Sequence, residues 1–187
     1  DRMYLERLML KRLTALLLVA AALVLQGCVG AGAGLQPYVD TYDGYRFLYP
    51  TGWTEVKVSG NADVVFHDIV NETENMSVVI SDVPEGESLK DLGTPTEVGY
   101  KLSKSINAIT GEDRDVELAN AVEISRDGEP YYILEYIADL PSGVRHNLAS
   151  VVVRRNKLFT FNASTREDRW EKVADLMKQA VASFSVD

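Results

Sequence analysis

Cysteine is almost missing from this chain: Cys28 is the only one in 187 residues. No paired CxxC exists, so zinc sites of the usual cysteine-rich kind are excluded. Histidine is scarce as well, with only His67 and His146. No HExxH is present, and no G-x-S-x-G marks a nucleophile. The 13 glycines are scattered, and none forms a GxxxxGK or GxGxxG loop after a strand. Carboxylate pairs such as Glu112-Asp113 read as solvated loop residues, not as a glycosidase pair. Lys and Arg number 19 against 28 Asp and Glu, for a formal charge of −9. That deficit disfavours nucleic acid as a partner, because phosphates are bound by cations. No apolar run reaches the roughly 20 residues that span a bilayer.

The composition is 46% hydrophobic and 25% charged, ordinary for a globular domain and not for a disordered chain. Residues 1–27 read as a signal peptide. Lys11 and Arg12 form a positive n-region, and Leu13 to Leu25 an apolar h-region. Met9 would make a conventional start, which leaves DRMYLERL as extra residues. Leu25-Gln26-Gly27-Cys28 fits the lipobox of bacterial lipoproteins, where a small residue precedes a thiol that accepts diacylglycerol. Gln26 departs from the usual small or β-branched residue at its place. The alternative is an ordinary signal peptide with a chance cysteine. Removing residues 1–27 takes away Arg2, Arg7, Lys11 and Arg12 against Asp1 and Glu6, and moves the formal charge to −11. Anionic headgroups repel such a domain, so the lipid on Cys28 has to do the anchoring. Residues 28–39 then serve as the lipidated Cys and a flexible tether, with GAGAGLQ at its centre. Residues 40–187 form one domain.

Within that domain, 44–50, 62–69 and 76–83 read as strands, and 95–107 as a helix. Pro95 suits its first turn, and Val98, Leu102 and Ile106 recur at four-residue spacing. Strands 116–125 and 131–138 flank Arg126-Asp127-Gly128-Glu129, a strong hairpin signal. Strands 145–154 and 157–163 flank Arg155-Asn156, a second tight turn. Ser164-Thr165-Arg166-Glu167 fits a capping box. It precedes a helix whose face carries Trp170, Val173, Ala174, Met177, Val181 and Phe184. Strand 131–138 is apolar on both faces, so the sheet needs cover on both. The expected fold is α+β: an antiparallel sheet of about six strands sandwiched between helices.

His67 reads as an ordinary strand histidine. His146 has a more specific position. If Arg155-Asn156 is a two-residue turn, Arg154 pairs with Lys157 and His146 falls opposite Thr165. Asp168, in the first turn of the following helix, then comes within reach. Imidazole plus carboxylate is half a site for Zn²⁺ or Mn²⁺. A plain hydrogen bond between the two, helped by the helix dipole, is the equally physical alternative. Sequons at Asn71, Asn75 and Asn162 carry no weight in a bacterial lipoprotein.

The segments GYRFLYPTGWTEV (44–56), ENMSVVIS (74–81), RHNLASVVVRRNKLFTFNAS followed by EDRW, and ASFSVD (182–187) together resemble the PsbP family of photosystem II extrinsic proteins. The resemblance runs from about residue 37 to 187, and the lipoprotein signal matches the family's cyanobacterial members. It implies an antiparallel sheet flanked by helices, no enzymatic activity and no required cofactor. It further implies binding to the lumenal face of photosystem II, in support of assembly or stability of the oxygen-evolving complex. The implied location is the lumenal side of the thylakoid membrane, anchored through Cys28, with the isolated protein a monomer. Zn²⁺ or Mn²⁺ binding in plant members carries over by motif to His146 and Asp168, and Ca²⁺ is the remaining candidate ion. Plant members have an extended N-terminal segment linked to ion retention. Only about a dozen residues separate Cys28 from the domain here, so a strong calcium- or chloride-retaining role is not expected. A metal carrier or buffer for cluster assembly is the second functional reading.

Overall fold

The computed structural model describes Arg2 and residues 34–58, 60–110 and 115–187, with backbone alone over 105–110. The signal peptide and Cys28 lie outside the described residues. The chain divides into residues 1–34 and 35–187, and the second unit has its own core. The tether expected over 28–39 ends earlier than its sequence suggests. Leu35–Asp40 is a strand, β1, paired antiparallel with β2 (Tyr45–Pro50).

Next come β3 (Trp53–Val56), β4 (Ala62–Asp68) and β5 (Asn75–Asp82). Two helices follow: the single turn α1 (Leu89–Leu92), then α2 (Pro95–Thr110). After α2 the chain forms four long strands, β6 (Asp115–Arg126), β7 (Glu129–Leu140), β8 (Gly143–Arg154) and β9 (Lys157–Arg166). A 3₁₀ turn, Glu167–Arg169, leads into α3 (Trp170–Ser183), and β10 (Ser185–Val186) closes the fold. Among the described residues seven strands make one antiparallel sheet in the order β3-β4-β5-β9-β8-β7-β6. Three more make a small sheet, β1-β2-β10. The expectation of about six strands is thus corrected upward. The added strands are short, or are edges with little apolar pattern, while the α+β class holds.

Both tight turns form as two-residue hairpins. Asp127 and Gly128 take φ 51° and 81°, and Arg155 and Asn156 take 50° and 59°. These left-handed values match the twist of the flanking strands. The large sheet is buried on both faces. Over one face α3 and the small sheet enclose Tyr45, Phe47, Phe66, Phe161, Met177 and Phe184. Phe47 and Phe161 stack with centroids 4.5 Å apart. The other face packs Tyr132, Leu134 and Tyr136 of β7 with Leu89 of α1 and Val98 of α2. There α2 lies so close to β6 that a Cβ on Gly99 would sit 2.8 Å from Leu118 Cδ2. The same contact lets the Tyr136 hydroxyl donate to Gly99 O. No described helix is long and apolar enough to cross a membrane.

The capping box expected at Ser164–Glu167 does not form. Ser164 and Thr165 stay in β9, paired with Asn147 and His146, and Ser164 Oγ accepts from the Arg145 guanidinium. Strand pairing has claimed the residues that could have capped the helix. A reciprocal box forms instead at α1, between Ser88 and Asp91. Thr94 and Glu97 bond in the same reciprocal way at the start of α2.

Candidate functional site

Where β9 gives way to α3, a row of polar groups lies beneath the 3₁₀ turn, on the α3 side of the large sheet. The β8–β9 register places His146 opposite Thr165 and Ile137, as the hairpin arithmetic required. Asn75 pairs with Ser164, so the same register carried one step further brings Glu74 level with Thr165. Glu74, just ahead of β5, therefore lines up with Thr165 of β9 and His146 of β8. All three are buried, with 1%, 0% and 4% of their surface exposed.

Each member is held differently. The Glu74 carboxylate accepts from Arg169 Nε, so the 3₁₀ turn is fastened to the β4–β5 loop by a buried ion pair. Arg145 reinforces that loop by donating to Thr73 O and Ser164 Oγ. Burial pushes the Arg145 guanidinium down, and the Glu74 charge opposes that shift. The Thr165 hydroxyl finds no hydrogen-bond partner among the described residues.

His146 has partners at both ring nitrogens. Nδ1 lies 2.6 Å from Glu167 Oε2, and Nε2 lies 2.6 Å from Glu135 Oε1. An ionised carboxylate only accepts, so both contacts are hydrogen bonds only when both nitrogens carry hydrogen. The ring lies flat on Trp170, with centroids 3.7 Å apart and planes 7° from parallel. Lys178 Nζ approaches the same indole at 6.0 Å. Both ring nitrogens thus face carboxylates, and only 4% of the residue is exposed. This arrangement clamps β7 and β8 to the 3₁₀ turn and the helix start.

The structure brings one of the two residues singled out in the sequence, His146, into this cluster. Asp168 is exposed and its carboxylate turns to Arg166. Its neighbour Glu167 takes the place beside the imidazole. Glu74, Glu135 and Arg169 were also missed. Glu135 carried a signal, as the one charge within the doubly apolar run YYILEYI. His67 sits half-buried in β4, opposite Thr54 and Asn75.

A second acidic group lies at the β1–β2 turn. Carboxylate oxygens of Asp40, Asp43 and Asp63 lie within 4.8 Å of one another, the sole such His/Cys/Asp/Glu trio among the described residues. Its members serve the turn. Asp40 accepts from the amides of Tyr42 and Asp43, and Asp63 accepts from the Tyr45 hydroxyl. Burial, with the charges of Asp63 and Asp40, pushes the Asp43 carboxyl up. Burial and the bond to Asp63 push the Tyr45 phenol up strongly.

Comparison with known proteins agrees with this fold. The PsbP family model matches residues 33–186. CyanoP of Thermosynechococcus vestitus is 46% identical over 183 residues, covering 95% of this chain and 100% of that protein. CyanoP of Synechocystis sp. is 48% identical over 180 residues, covering 92% and 96%. The solution structure of the Synechocystis protein superposes with a TM-score of 0.72, covering 86% of this chain and 98% of that one. A sequence match across the described domain, with the same fold beneath it, makes this chain a member of the PsbP family.

Proposed function

We propose that the chain is a lipid-anchored accessory protein of photosystem II on the lumenal side of the thylakoid membrane. It assists assembly or stability of the oxygen-evolving complex through protein–protein contact and catalyses nothing. The observation that carries this reading is the family match over residues 33–186. The tied imidazole supports the non-enzymatic half, because the one histidine in a polar cluster is occupied in holding strands to helix. Capture of the tagged, full-length protein from gently solubilised thylakoids tests it. Photosystem II reaction-centre subunits are expected in the eluate. Reproducible recovery without them overturns the reading.

A metal-handling role is the second reading, and one observation favours it. His146 Nδ1 and Glu167 form an imidazole–carboxylate pair of the donor type that Zn²⁺ and Mn²⁺ accept. A cation there has to replace the hydrogen between them, so binding weakens as pH falls. His146 and Glu167 hold such an ion; Asp168, committed to Arg166, contributes only by turning away from it. With two protein ligands the affinity is expected to be low. Calorimetric titration of Zn²⁺ and Mn²⁺ into wild type and His146→Ala decides. Heat released by wild type alone supports a site, and identical isotherms sink it.

A further inference from the structure

We propose that the tip of the β4–β5 hairpin, Ile69 and Val70, is a membrane contact that dips into a bilayer of uncharged headgroups. The two are 61% and 84% exposed, unusual for adjacent β-branched apolar side chains. The exposure is built in. Val70 N donates to Asp68 Oδ1, and the Asn71 side chain donates to Asp68 Oδ2, forming a tight turn that holds both side chains outward. Burial raises the Asp68 carboxyl, but the bonds from Val70 and Asn71, with the Arg169 charge, outweigh it and set it below its usual range. The turn therefore stays intact at ordinary pH. Behind it, Glu74 N donates to Asn71 O, and the Glu74–Arg169 pair fixes the base of the loop.

The path of the chain says what this tip faces. Leu35 pairs with Pro50, Trp53 follows after a two-residue turn, and Trp53 pairs with Asp68. That sequence of links puts Leu35 within about 25 Å of the hairpin tip. Leu35 is seven residues on from Cys28, a reach of at most about 25 Å. An anchor at Cys28 thus keeps Leu35, and with it this end of the sheet, within that reach of the membrane surface. The Asp127-Gly128 and Arg155-Asn156 turns lie at the other end. Asp68 and Glu72 flank the apolar pair, so uncharged headgroups suit it better than anionic ones.

The proposal rests on the lipoprotein reading for its orientation, and its test is separable from that reading. The chain from Cys28 onward is coupled through its sole thiol to a single fourteen-carbon chain. One such chain binds bilayers only marginally, so an added apolar contribution becomes readable. Partition onto phosphatidylcholine vesicles is then measured by flotation for wild type, Ile69→Ser/Val70→Ser and Tyr42→Ser. Tyr42 is the control, 94% exposed on the β1–β2 turn at the far end. The double variant is expected to partition about tenfold more weakly, and Tyr42→Ser like wild type. Equal partition of all three, or an equal loss for Tyr42→Ser, overturns the membrane contact. Mass spectrometry of Cys28 in protein from thylakoids reports on the native anchor by itself.

Discussion

Arg169→Met is expected to destabilise the domain by about 3 kcal/mol, the low end for breaking a buried ion pair from one side. The physical reason is asymmetry. Glu74 is 1% exposed and cannot reach water, so removing its cation leaves a buried carboxylate without its ion-pair partner. The cost stays at the low end because the Arg145 guanidinium remains within electrostatic range. Glu74→Gln leaves the neutral half, an amide beside an Arg169 with 28% of its side chain exposed, and is expected to cost about half as much. The double variant Glu74→Leu/Arg169→Met is expected to recover most of the loss, since two apolar groups of similar volume owe no desolvation. Urea unfolding of the three proteins checks this, with the coupling read from the cycle. A loss within about 0.5 kcal/mol, as for an ordinary surface change, would show that the pair does not fasten the loop.

The parts of the fold set by strong local rules were legible. Both tight turns need positive φ at two positions, which Gly, Asn and Asp accept best; Asp127, Gly128 and Asn156 are of these types, and Arg155 adopts it beside Asn156. These turns fixed two hairpins and, through them, the opposition of His146 and Thr165. Apolar residues on both faces of β7 required cover on both sides of the sheet, and α2 and α3 with the small sheet supply it. The misses have physical causes as well. The strand LQPYVD follows a glycine-rich run and contains Pro37, so it reads as tether; its identity comes from pairing with β2. Ser164 and Thr165 can end a strand or cap a helix, and only tertiary pairing decides. Glu74 and Glu72 look alike within NETEN, because the burial of Glu74 depends on how the loop returns beneath Arg169. Asp168 and Glu167 are adjacent, and the 3₁₀ turn points one at Arg166 and the other at His146. A spacing argument correct to one residue could not separate them.

His146→Ala is expected to cost about 2–3 kcal/mol, and Asp168→Ala less than about 0.5 kcal/mol. The contrast follows from burial and partners. Removing the imidazole opens a void against Trp170 and leaves Glu135 and Glu167 facing one another without the group between them. Glu135 and Glu167 keep 24% and 41% of their side chains exposed, so each can turn toward water, and the loss stays below that for Arg169→Met. Asp168 is exposed and paired only with an exposed Arg166, an arrangement that contributes little. His146→Phe separates the two roles of the ring: it keeps the flat contact with Trp170 and gives up both nitrogens. Recovery of most of the His146→Ala loss in the Phe variant makes stacking the dominant contribution. A loss as large as that of His146→Ala makes the two carboxylate contacts dominant, since Phe strands the same acceptors while filling the void. Near-ultraviolet circular dichroism follows the Trp170 environment alongside urea unfolding. If Asp168→Ala instead proves the costlier change, the arrangement of the 3₁₀ turn described above is wrong, and the histidine belongs to Asp168 after all.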